Sequence, residues 1–145
     1  MGADLGETWY LIANASVAPV WLLLILAPRA ALTERVAATP LVPAIYALVY
    51  VGLLVPALTG GSGDMASLEG LRAAFEQDAA LLLAWVHYLC FDMAVGMWAY
   101  REGRRLGMSW WVVGPCLAGT LMFGPAGFVA FVAARRLMTG VSAWA

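Results

Sequence analysis

The apolar run WVHYLCFDMAVGMW (85–98) carries two ionisable side chains, the chain's single histidine, His87, and Asp92. An aspartate at the centre of a membrane-spanning helix costs about 2.5–3.5 kcal/mol on insertion scales, so one that is kept faces a cavity, the bundle interior or a partner. Two roles compete for Asp92: a place at a reactive or ligand-binding pocket, or a polar clamp between helices, with Asn14 and Thr120 as partners. His87 is five residues earlier, about 140° around a helix, so the two do not share one face. Trp85, Tyr88, Leu89 and Gly96 share the Asp92 side, and Tyr88, at i−4, is its natural local hydrogen-bond donor. Asn14, beside Ser16 in the first apolar run, is either helix glue or a pocket donor. Glu69 and Arg72 form an i, i+3 pair that reads first as a weak exposed ion pair. Tyr46 and Tyr50, one turn apart, read as packing residues, and Met93, Met97 and Trp98 as core. One histidine excludes bis-histidine haem within the chain, and no metal or other cofactor is expected.

The elements that hold these residues must be helices in a membrane. Of 145 residues 63% are hydrophobic and 12% charged, with a mean hydropathy of +0.83, too apolar for a water-exposed surface. Open sheets cannot cross lipid, and the alternation of a barrel strand is missing, which leaves an all-α bundle. Four apolar segments fit, at about 8–27, 40–58, 79–100 and 110–134, each close to the roughly 17–25 residues that cross a bilayer. The fourth contains Gly114-Pro115 and Gly124-Pro125. Between the second and third, Gly60-Gly61-Ser62-Gly63 ends a helix. After it, 66–76 reads as a short amphipathic helix, with Leu68, Leu71 and Phe75 opposite Glu69, Arg72 and Glu76, lying on the membrane surface or over the bundle mouth. Ser67-x-x-Gly70 lacks the acid of a capping box.

All eight basic residues are arginine, and a net charge of −1 gives no basic stripe for nucleic acid. With four spans, the connections divide the arginines five against three, which favours both ends facing away from the cytoplasm. The start MGADLGETWY has acids and no arginine, so the first span is expected to stay rather than be cleaved. Cys90 and Cys116 lie in apolar runs and read as small buried hydrophobes. Gly52, Gly96 and Gly119 permit close packing in the bundle or in a homo-oligomer. The 145 residues make a single domain without internal repeats.

The runs ANASVAPVWLLLILAPR (13–29), SLEGLRAAF (67–75), WVHYLCFDMAVGMW (85–98) and PCLAGTLMFGPAGF (115–128) resemble, in this order, the abscisic acid-deficient four-like membrane family. Cys90 and Met97 depart from it, standing where a small apolar residue and often a basic residue are expected. The resemblance implies a four-helix membrane protein acting on a carotenoid or related isoprenoid. The chemistry it implies is that of neoxanthin synthesis, in which a 5,6-epoxide opens to an allene and a tertiary alcohol without net redox change. That reaction needs an acid for the epoxide oxygen, a base for the vinylic proton and a dry apolar slot. The implied assignments are Asp92 or Glu69 as acid and His87 as base, with Arg72 or Tyr88 orienting them. Asn14, Trp85, Tyr88, Tyr46, Tyr50 and Thr120 are the expected substrate contacts. With no plastid transit peptide before the first span, the expected setting is a bacterial inner membrane. A second reading stands beside this one: the pocket holds a carotenoid, retinoid or lipid without chemistry, or the protein is a partner subunit of another membrane enzyme. The absence of lysine excludes a retinylidene linkage.

Overall fold

The computed structural model describes residues 3–60 and 66–141, so the glycine run at 61–63 lies outside the described residues. All regular structure among them is helical: α1 (Ala3–Leu26), α2 (Ala31–Ala38), α3 (Leu41–Gly60), α4 (Leu68–Phe75), α5 (Asp78–Arg105), α6 (Trp110–Phe123) and α7 (Pro125–Thr139). Three of them, over Leu5–Leu26, Leu41–Thr59 and Asp78–Arg105, are long and apolar enough to cross a membrane, as expected of a membrane protein. They match the first three expected spans. The amphipathic helix is α4, and its N-cap is Ser67, whose hydroxyl accepts the Gly70 N–H at 3.0 Å. Half of a capping motif suffices there.

The segment read as a fourth span is two helices. Gly124 has a φ of +33°, a left-handed value that favours glycine, and the chain reverses at it. A Cβ on Gly119 would meet the Gly127 Cα at 3.3 Å, and one on Gly127 would collide with the Thr120 backbone nitrogen. Residues eight apart touch, whereas a straight helix would hold them about 12 Å apart. At about 1.5 Å per residue, the 14 residues of α6 and the 15 of α7 are each short of the roughly 30 Å of hydrocarbon. α2, which the apolar pattern does not announce, follows Pro28-Arg29; the Thr33 hydroxyl pins its entry by donating to the Ala27 carbonyl at 2.7 Å.

The chain divides into two compact units. Unit 1 is Met1–Val17 with Pro43–Cys90; unit 2 is Ala18–Val42 with Phe91–Ala145. In unit 1, Ser16 and Tyr46 share a hydroxyl–hydroxyl bond of 2.6 Å, and the Cys90 thiol donates to the Pro43 carbonyl at 3.3 Å. Most of the apolar surface of α3 is exposed, as lipid-facing surface would be.

Unit 2 is closely packed. Trp21, Leu24, Met93, Met97, Leu117 and Phe131 form its core. The Trp21 indole occupies the space that a side chain on Gly96 would fill, and Trp98 meets Phe128 and Phe131 with ring centroids 5.9 and 5.3 Å away. Glu102 and Arg135, 7% and 5% exposed, form a buried ion pair. Arg135 Nε and Nη2 both donate to Glu102 Oε1, at 2.8 and 2.7 Å, while Arg105 takes Oε2 at 2.7 Å and Oε1 at 2.8 Å. The Tyr100 hydroxyl donates to the Pro28 carbonyl at 2.6 Å and the Trp110 indole to the Ile25 carbonyl at 3.1 Å. These bonds gather the α1–α2 turn, the end of α5, the start of α6 and the end of α7 at one end of the unit.

Candidate functional site

The site in unit 1 begins with helical spacing. Ala80, Ala84 and His87 recur along α5, Tyr50, Leu54 and Ala57 along α3, and Leu71, Ala74 and Phe75 along α4. Each set forms one stripe of its helix. The three stripes enclose a hollow of about 350 Å³ whose remaining lining is Leu58, Gln77 and Leu83. The lining is therefore apolar apart from Tyr50, Gln77 and His87, and the volume falls at the small end of the roughly 300–1,000 Å³ typical of ligand cavities. His87, exposed at the rim, meets the Tyr50 ring edge-on, with centroids 5.5 Å apart and an interplanar angle of 61°. A phenol and an imidazole thus stand at one place on an oily wall. Both can donate and accept a hydrogen bond.

The amphipathic pattern of α4 explains its part. Leu71, Ala74 and Phe75 cover the hollow, while Glu69 and Arg72 are exposed on α4, do not line this hollow and form no ion pair with each other. A second hollow of unit 1, about 570 Å³, lies against Glu7, Tyr10, Asp78, Leu81, Leu82 and Trp85. Trp85 stands between Tyr10 and Tyr88, with centroids 5.5 Å away on each side, and its buried indole N–H has no hydrogen-bond partner among the described residues. The Asn14 amide donates to the Tyr10 carbonyl at 2.7 Å, a bond within its own helix. Tyr46, buried on Ser16, lines neither hollow.

Asp92 belongs to unit 2, and its surroundings there are the hairpin tip. A Cβ on Gly124 would lie 2.7 Å from Asp92 Oδ1, so the carboxylate stands at the N-terminus of α7. The partial positive charge of a helix start favours an anion there. Thr120 is buried and donates to the Cys116 carbonyl at 2.9 Å, a bond within α6. Of the residues singled out in the sequence, the hollow under α4 gathers His87 and Tyr50. It also contains Gln77, which the sequence reading missed; its place at the turn between α4 and α5 carries no signal of its own. Among the described residues, no three of His, Cys, Asp and Glu are placed to hold a metal ion.

No curated protein and no solved structure matches the chain. A family model does: the one described as ABA DEFICIENT 4-like matches residues 8–131, a stretch that includes His87, Tyr50, Gln77, Asp92 and the whole of α4. On that match the chain belongs to the ABA DEFICIENT 4-like family.

Proposed function

We propose that this is a carotenoid-related membrane protein that takes the end group of a carotenoid or similar isoprenoid into the hollow under α4, and that His87 and Tyr50 isomerise an epoxide there to an allene. The observation that carries the reading is the pairing of an imidazole and a phenol, centroids 5.5 Å apart, on a cavity wall that is otherwise almost wholly apolar. The exposed apolar side chains of α3 and α5 around it let a polyene continue into lipid without meeting water. In the reaction the Tyr50 phenol donates its proton to the epoxide oxygen as the C–O bond breaks. The His87 imidazole takes the proton from the vinylic carbon, and the electron pair left there completes the allene. The proton then passes from imidazolium to phenolate, which restores both groups. No electrons enter or leave, so no redox partner is required.

The test is incubation of the purified protein, in mild detergent, with an epoxy-carotenoid, followed by chromatography. The product has the mass of the substrate, a shifted retention time and an allenic vibration. H87Q and Y50F are expected to retain bound pigment and lose the product. Bound pigment that never changes, in the unaltered protein as in H87Q, would leave the binding reading standing and remove the isomerase.

The membrane arrangement that goes with this reading is three spans plus a hairpin, α6–α7, that enters and leaves on one face. The tip of the hairpin meets Asp92, fourteen residues from the start of α5 and thirteen from its end. The hairpin base is level with Glu102, through Arg135. Arg29, Arg35, Arg101, Arg104, Arg105, Arg135 and Arg136 then share one face, against Arg72 on the other. Seven against one is a far stronger positive-inside bias than the five against three of four spans. Topology reporters fused at the two ends are expected on opposite faces of the membrane; the same face for both restores the four-span arrangement.

A further inference from the structure

The base of unit 2 carries a cleft that the proposed function does not use. It measures about 450 Å³ and lies between α2, through Glu34 and Ala37, and the last turns of α5, through Tyr100, Arg101, Arg104 and Arg105. Three arginines and one glutamate line it. Arg104 holds that carboxylate at 2.6 Å, Arg105 is turned to Glu102, and Arg101 makes no ion pair among the described residues. Arg104 keeps donors to spare, since guanidinium offers five N–H groups and Glu34 takes one. The small side chains of Ala37 and Ala38 leave room against α2. Apolar side chains at the same end, Trp111 at 90% exposure and Leu137 at 85%, suit the boundary between headgroups and acyl chains.

We infer that this cleft binds the phosphate of an anionic phospholipid from the arginine-rich face of the membrane, with Arg101 as the main ligand and Arg104 as the second. Phosphate accepts the planar fork of guanidinium in two parallel hydrogen bonds. A cavity between a membrane-spanning helix and a short helix on the basic side is where such headgroups lodge. The lipid is preferred over free phosphate as the source because Leu26 and Leu32, on either side of the α1–α2 turn at this end of the unit, are both exposed and offer apolar surface that acyl chains would cover.

The experiment is native mass spectrometry of the full chain, released from detergent containing either phosphatidylglycerol or phosphatidylcholine, with and without millimolar inorganic phosphate. One phosphatidylglycerol per chain should be retained in preference to phosphatidylcholine, and R101Q should lower retention roughly fivefold, the weight of one arginine at a membrane surface. R29Q, which removes a charge outside the cleft, should leave it unchanged. Arg101 makes no ion pair among the described residues, so R101Q is expected to keep its fold, and its melting temperature checks this. Equal retention of both lipids, or an equal loss in R29Q and R101Q, would overturn the site as a diffuse surface charge. Displacement of the lipid by inorganic phosphate would overturn the lipid as the source and leave a phosphate site.

Discussion

Unit 1 and unit 2 treat polar groups in opposite ways. In unit 2 the buried charges are answered: Glu102 is shared by Arg105 and Arg135, and Asp92 stands against a helix start, while at the surface Arg104 holds Glu34. Aromatic and sulfur-bearing side chains fill its core, down to the overlap of Trp21 with the Cβ position of Gly96, and its one described cleft lies at the surface. In unit 1 the packing stops short. Two hollows remain, a buried indole N–H has no partner among the described residues, and His87 and Tyr50 stand at the edge of open space. Ligand sites need room, whereas a closely packed interior resists deformation. Unit 2 thus has the character of a frame and unit 1 that of a receptacle.

That contrast predicts where substitutions act. The largest effect on stability is expected at Glu102. E102L removes the carboxylate on which Arg105 and Arg135 converge, at a cost of about 3–5 kcal/mol, while E102L with R135L should recover most of it; thermal melting in detergent compares the two. Next is G127A, whose methyl would push α7 off the Thr120 backbone nitrogen at a cost of about 1–3 kcal/mol. Hydrogen exchange should show the loss first in α6 and α7. A84W, which fills the hollow under α4, belongs to the other unit and should do the reverse. Pigment retention should fall at least about tenfold, equivalent to about 1.4 kcal/mol, with melting shifted by no more than about 0.5 kcal/mol. A large fall in melting for A84W would mean that the hollow is part of the frame. The smallest effect is expected from Y46F, which loses the bond to Ser16; hydrogen bonds of this kind within membranes average about 0.6 kcal/mol. Melting of Y46F alone should register it, with bound pigment unchanged.

The three long helices and α4, with their approximate limits, were legible because their cause is local. A run such as 79–100 must pair its backbone internally in lipid, and the alternation of Leu68, Leu71 and Phe75 with Glu69, Arg72 and Glu76 makes one side of α4 oily whatever it meets. His87 could be singled out for the same reason: an imidazole in an apolar run is conspicuous without any coordinates. Its partner was less visible, because Tyr50 and Tyr46 have the same residue type and similar settings, and their separation into a cavity residue and a packing residue depends on which one faces α5.

The amino-acid order alone determined an all-helical chain suited to a bilayer, a short amphipathic helix and the oddity of an ionisable residue at 87 and at 92. Tertiary structure decided that 110–134 folds back at Gly124, that Glu102 meets Arg135 across 33 residues, and that His87 faces Tyr50 while Asp92 faces a helix start. The physical reason is range. Hydrophobicity and helix formation act between residues a turn apart, so they are written in the sequence; a backbone reversal fixed by Gly119 touching Gly127, or a cavity left by unfilled volume, exists only once distant segments have packed.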